Sequence, residues 1–124
     1  MSYGAAERYL YEKLALMFPD TEHNRMVNLK NRTLELDVFI PSLPAAIEYD
    51  GPHHHRRKKQ DERKNFLLQQ AGIHLIRVRQ TGLPSLRPFG TTLIDHNPEV
   101  PGHLEACLGQ VIEDLRRHFH LPSL

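Results

Sequence analysis

Asp37, Glu48 and Asp50 stand in an otherwise apolar stretch, LELDVFIPSLPAAIEYD. Three histidines, His53, His54 and His55, follow Gly51-Pro52. Six cations come next, Arg56, Arg57, Lys58, Lys59, Arg63 and Lys64, against only Asp61 and Glu62. Carboxylates gathered on one surface repel unless a cation joins them. A hard divalent ion such as Mg2+ takes one or two carboxylates and completes its shell with water and phosphate oxygens. Positive charge beside such a site suits a polyanion held over the metal. An imidazole there can act as acid or base near neutral pH, or donate to a phosphate. Zinc is the weaker alternative, because three consecutive residues cannot easily aim all their rings at one tetrahedral ion.

The acids meet only if the chain folds back between them. Leu34, Leu36, Val38 and Ile40 alternate with Glu35, Asp37 and Phe39, the period of a strand. Ile47 and Tyr49 alternate with Glu48 and Asp50 in a second strand. Pro41 and Pro44 bracket Ser42-Leu43, where the chain turns. Closing there pairs residue 41 with 44 and places Asp37 opposite Glu48. Directly opposite side chains share a face, roughly 4.5–5.5 Å apart at Cβ. Asp50 lies one step further along. A slip of one residue would send Asp37 and Glu48 to opposite faces.

The flanking elements follow in order. Tyr3 to Phe18 has a helical stripe of Tyr3, Ala6, Leu10, Leu14 and Met17, with Ser2 as a cap. Glu7 points within about 20° of Leu14, so it reaches the acidic site or sits at the core's edge. Thr21 to Asn24 reads as a loop and Arg25–Lys30 as a short edge strand. Asn31-Arg32 then turns into Thr33–Ile40. Lys58 to Ala71 is a helix stopped by Gly72. On it Asp61, Lys64, Leu68 and Ala71 share a face. Lys64 can thus supply a cation to Glu48, or merely pair with Asp61. Ile73–Arg79 is a strand parallel to Ala45–Asp50, the second strand of a βαβ unit. Arg77 and Arg79 share one face, which suits phosphate contacts and equally suits salt bridges to the acids. The loop Gln80–Gly90 is a candidate flap over the site. Thr91–Asp95 is the last strand. Pro101–His118 is a closing helix with Leu104, Leu108, Val111, Leu115 and Phe119 as its stripe. Cys107 belongs to that core, and His103, His118 and His120 to the surface. The order αβββαββα makes an α/β fold, a mixed central sheet flanked by helices.

At 124 residues the chain is one domain, 1–124. Its net charge of +1 argues against a general polycation. One cysteine allows no internal disulfide, which fits a reducing, cytoplasmic setting. No apolar run approaches the roughly 18 residues of a membrane span.

The stretch ELDVFIPSLPAAIEYDGPHHH, followed by QDERKNFLLQQAGIHLIRVR, resembles the PD-(D/E)xK nuclease superfamily. More narrowly, it is similar to small restriction-endonuclease-like domains related to very-short-patch-repair endonucleases. The resemblance covers about Ser2 to Leu86. It implies that Glu7 matches the acid of the first helix, Asp37 the motif aspartate, and Glu48-Tyr49-Asp50 the (D/E)xK element. The trailing histidine matches His55, or His54 if the gap differs. The lysine position of that element is occupied by Asp50. In some relatives the lysine has moved to the neighbouring helix, where Lys64 is the candidate.

What the resemblance implies is a Mg2+-dependent DNA endonuclease or nickase, with Mn2+ able to substitute. Its metal would sit on Asp37, Glu48 and Asp50. Its catalytic set would be Glu7, Asp37, Glu48, Asp50, His55 and Lys64. Arg56, Arg57, Lys58, Lys59, Arg77 and Arg79 would grip DNA phosphates. The alternative is a nucleic-acid-binding module that kept the fold and lost the reaction, for which Asp50 in the lysine position is the support. Nucleases that cut both strands often pair, and the C-terminal helix offers a surface for a homodimer.

Overall fold

A computed structural model describes residues 4–123. Five strands form one mixed sheet in the order β1-β2-β3-β4-β5: β1 Glu22–Leu29, β2 Arg32–Ile40, β3 Ala45–Asp50, β4 His74–Gln80 and β5 Thr92–His96. The first three make an antiparallel meander, and β3, β4 and β5 run parallel. The helices are α1 Ala5–Met17, α2 Lys58–Gln70 and α3 His103–His118, with a 3-10 turn at Pro52–Arg56. Strand, helix and strand from β3 through α2 to β4 form the parallel unit that the sequence pattern calls for. No helix among the described residues is long and apolar enough to cross a membrane.

Alternation assigns the layers. Ala45, Ile47, Ile76, Val78 and Ile94 pack with Leu10 and Leu14 of α1 and with Cys107, Val111 and Leu115 of α3. Ala46 and Leu75, the intervening residues, pack with Leu68 of α2. So α1 and α3 cover one face and α2 the other. Burial of about 0.8 kcal/mol per CH2 on both faces holds the central strands in place. Cys107 lies in this core.

The β2–β3 register is the expected one: Val38↔Ile47, Phe39↔Ala46 and Ile40↔Ala45. The ladder then stops. The Asp37 N–H donates to Glu48 Oε2 at 2.7 Å instead of to a backbone carbonyl. The alternation of β2 also changes phase here. Leu34 and Leu36 belong to the α2-side cluster, whereas Val38 and Ile40 belong to the other. The four residues therefore do not share one face, as alternation alone predicts. Across on β1, Asn24 sits between the pairs His23↔Val38 and Arg25↔Leu36 with φ 58. That is the left-handed region, which asparagine tolerates better than most residues. The two hairpin strands diverge at the acids.

Other boundaries differ by small amounts with clear causes. β1 begins at Glu22, because Glu22 and His23 pair with Phe39 and Val38 despite their polarity. The β1–β2 turn uses Lys30 and Asn31 at φ 51 and 63, one residue before Asn31-Arg32. Arg32 is already paired with Leu29. α2 ends as expected, with Gly72 at φ +76 just past it. The expected cap Ser2 and stripe residue Tyr3 lie outside the described residues; Gly4 occupies the N-cap position of α1.

Candidate active site

The gap between the diverging strands opens into a cavity of about 540 Å3. Glu7 of α1, Asp37 of β2, Glu48 of β3 and Lys64 of α2 all line it. Each arrives for a reason visible in its element. Glu7 lies one turn before the buried Leu10 and two before the buried Leu14. Asp37 sits at the phase change, and Glu48 follows Ile47 in the centre of the sheet. Lys64 extends the inward stripe of α2. Its Nζ donates to Glu48 Oε1 at 2.6 Å and also to the Glu35 carbonyl. Lys64 does not pair with Asp61.

Negative charge exceeds positive charge at this end of the cavity. Burial, and then the carboxylates of Glu48 and Glu7, push the Asp37 carboxyl up to about 8; Lys64 opposes this only in part. Glu7 accepts a hydrogen bond from His23 Nε2 at 2.8 Å, and the His23 ring stacks on Tyr11. A second cation here would satisfy Asp37, and the oxygen-rich donor set suits a hard divalent ion.

Asp50 does not join them. It is fully buried. Arg77 Nη1 donates to its Oδ1 at 2.9 Å and Arg79 Nη1 to its Oδ2 at 2.6 Å. Its parity along β3 puts it on the face of Glu48, but the strand carries it past the gap, opposite Arg79 in the parallel register. Arg77 and Arg79 are correspondingly lost to solvent. Arg77 is 0% exposed and also donates to Asn65 Oδ1 and the Asp61 carbonyl. Arg79 donates its other Nη to the Pro84 carbonyl. Neither can meet a DNA phosphate without breaking buried ion pairs, so of the two expected uses of these arginines the salt bridges hold.

The histidines separate in the same way. His55 is exposed and does not line the cavity, whereas His53 and His54 do. The 3-10 turn directs His54 inward, where Nδ1 lies 2.9 Å from Asp61 Oδ2 and 3.6 Å from Asp50 Oδ1. Asp50, His54 and Asp61 each offer one ligand atom within 4.8 Å of one another, so the group could hold a metal ion. Two guanidinium groups, however, already sit on its carboxylates. Burial alone would raise Asp61, but the His54 hydrogen bond and the Arg77 guanidinium outweigh it and hold its carboxyl below the ordinary range.

Arg56, Arg57, Lys58 and Lys59 are exposed at the start of α2, and Arg57 lines the cavity. Arg63, one of the six cations after the histidines, lines it too, and so does Arg32, which escaped the sequence reading. Arg32 is assigned to a turn by its sequence, so only the hairpin geometry reveals it. The Gln80–Gly90 loop is not a flap. It contributes no lining residue and is pinned to α2, with Arg87 N–H donating to Glu62 and Asn65 donating to the Arg87 carbonyl. No family model matches the chain, and no curated protein matches it.

Proposed function

We propose that this α/β domain is a restriction-endonuclease-like, PD-(D/E)xK-type nuclease that hydrolyses DNA phosphodiester bonds with a divalent metal ion. The observation that carries the reading is Lys64 Nζ at 2.6 Å from Glu48 Oε1, beside Asp37 in one cavity. The cation missing from β3 is supplied from α2. Asp37 and Glu48 would hold the ion, Mg2+ or Mn2+, with Glu7 at the margin. A bound divalent ion would lower the pKa of a water and stabilise charge building on the phosphoryl oxygens. The chain's own residues do the rest. Lys64 fixes the Glu48 carboxylate and brings positive charge toward the transferring phosphoryl group. Arg57 and Arg63 at the cavity, with Arg56, Lys58 and Lys59 beyond it, provide backbone contacts and make binding salt-sensitive.

The deciding experiment uses supercoiled plasmid with Mg2+ or Mn2+. Wild type is expected to yield nicked or linear DNA, and Asp37→Ala none. Binding of DNA with no cleavage, and no Mg2+ or Mn2+ uptake by calorimetry, would instead establish a binding module on a decayed nuclease fold.

A further inference from the structure

The outer half of the β1–β2 hairpin stands apart from the rest of the sheet. β2 pairs with β3 over Val38, Phe39 and Ile40, whereas it pairs with β1 back to Arg32. From Arg32 to Leu36 it is therefore one strand of a two-stranded ribbon with a free edge. Two hydrogen bonds fix the direction of its backbone groups. The Asp37 N–H donates to Glu48, and the Glu35 carbonyl accepts from Lys64. Peptide groups alternate along an antiparallel strand, so Thr33 also turns its N–H and carbonyl away from β1. Arg32, Thr33, Leu34 and Glu35, four consecutive residues, line the cavity that holds Asp37 and Glu48. Successive side chains point to opposite faces of a sheet, so the strand meets the cavity with its edge and not with one face.

An open edge is a liability that folded chains cover or blunt. This one is turned inward, beside cations that nothing neutralises. Arg32 on the ribbon, with Arg57 and Arg63 on the α2 side, is exposed to the same cavity, and none of the three forms an ion pair among the described residues. Arg25, on the neighbouring strand, is by contrast held by Glu22 at 2.7 Å. An added peptide strand suits this edge poorly, because Glu48 and Lys64 already occupy two of its groups. A polyanion that carries donors and acceptors of its own suits both features. Its phosphates meet the arginines, and its base edges meet the peptide groups.

Size selects the form of nucleic acid. The cavity of about 540 Å3 falls within the roughly 300–1,000 Å3 that encloses one small ligand. A nucleotide enters such a space, whereas two paired and stacked strands do not. Glu48 is only 4% exposed, so a phosphoryl group reaches the acids by descending between the ribbon and α2. Extruding a nucleotide from a duplex costs its pairing and stacking, which an unpaired strand has already given up.

We propose that the cavity takes one unpaired DNA strand, with Arg32 gripping a phosphate from the ribbon side and the Thr33–Glu35 edge facing the base. The inference rests on the nuclease reading and deepens it by naming the substrate as single-stranded or locally unpaired DNA.

Two measurements on the full chain test it. The first is fluorescence anisotropy without divalent metal, using one labelled oligonucleotide as a single strand, as a duplex, and as a duplex with a central mismatched bubble. Single strand and bubble are expected to bind at least about tenfold more tightly than the duplex at equal salt. Arg32→Ala should lower the single-strand slope of log binding constant against log salt by about 0.7. Arg32→Lys should restore the slope, and Arg25→Ala should leave it unchanged. A duplex bound as tightly as the single strand, or a slope that a folded Arg32→Ala protein retains, overturns the proposal. The second is cleavage of the same three substrates with Mg2+ or Mn2+. The single strand and the unpaired part of the bubble are expected to be cut at least about tenfold faster than the duplex. Equal rates on all three overturn the proposal and leave the nuclease reading standing. If none is cut, the nuclease reading falls, and the binding comparison alone decides whether the cavity is a single-strand groove. Should Arg32→Ala fail to fold, the wild-type preference among the three substrates still decides.

Discussion

Two groups of acids lie on the α2 side of β3, two residues apart in sequence, and they are treated in opposite ways. Asp50 meets two guanidinium groups in a fully packed interior. Glu48 shares one lysine with a neighbouring aspartate and a nearby glutamate, beside open space. The first group is closed electrostatically. The second is left one cation short, and Asp37 responds by holding its proton to about pH 8. An unneutralised group in a cleft is costly to keep and marks a site where something binds. A neutralised group in the core marks a scaffold. The same residue type at two positions of one strand thus has two different duties, set by what the neighbouring strand and α2 present to it.

The comparison breaks most easily at Arg77. Replacing it with alanine strands Asp50, Asn65 and part of Asp61 in a dry interior. Loss of one partner from a buried pair is expected to cost about 3–5 kcal/mol. Urea denaturation of Arg77→Ala at pH 7 measures it. A loss under about 1 kcal/mol would mean that water reaches the cluster, and that Asp50 is no more enclosed than Asp37.

Asp37 gives the opposite sign. Unfolded, an aspartate titrates near pH 3.9; folded, Asp37 titrates at about 8. Between these values the folded chain binds more protons, so stability falls as pH rises. The contribution is complete below about pH 4 and lost as pH passes 8. Asp37→Asn removes the titration. It should match wild type at pH 4 and exceed it by about 1–3 kcal/mol at pH 8.5. Mg2+ should then stabilise wild type, by about 2.7 kcal/mol at a hundredfold excess over Kd, and leave Asp37→Asn unmoved. Denaturation midpoints at three pH values, with and without Mg2+, show whether the site is strained for want of a cation.

How far this contrast could be read from the sequence depends on which residue is asked about. The register that faces Asp37 with Glu48 follows from two alternating strands and a turn fixed between Pro41 and Pro44, all local features. Lys64 was legible because helical spacing put it on the stripe of Leu68. The phase change at Asp37 was not, since it depends on Asn24 adopting φ 58 on another strand and on Glu48 capturing a backbone N–H. Nor was the choice among the histidines, because the 3-10 turn decides which ring goes inward. Arg77 and Arg79 were ambiguous in principle. Strand parity gives their face but does not say whether α2 and the 81–91 loop leave that face open.

The smallest expected effect concerns the cations, and it separates the two groups by function instead of stability. Lys59 is exposed at the head of α2, outside the ion network. If it touches a phosphate, Lys59→Ala removes roughly one released counterion. The slope of log binding constant against log salt should then fall by about 0.9 for duplex DNA, or about 0.7 for a single strand. The loss should be similar for every sequence tested, because phosphate contacts carry no base information. Arg79 is the internal control. It carries the same charge, but its guanidinium is spent on Asp50 and the Pro84 carbonyl. Arg79→Lys, if folded, should leave the slope unchanged while lowering the denaturation midpoint. Fluorescence anisotropy between 50 and 200 mM salt (roughly the range over which such slopes are resolved) gives both numbers. Equal slope changes at Lys59 and Arg79 would mean that the buried cluster opens when DNA binds.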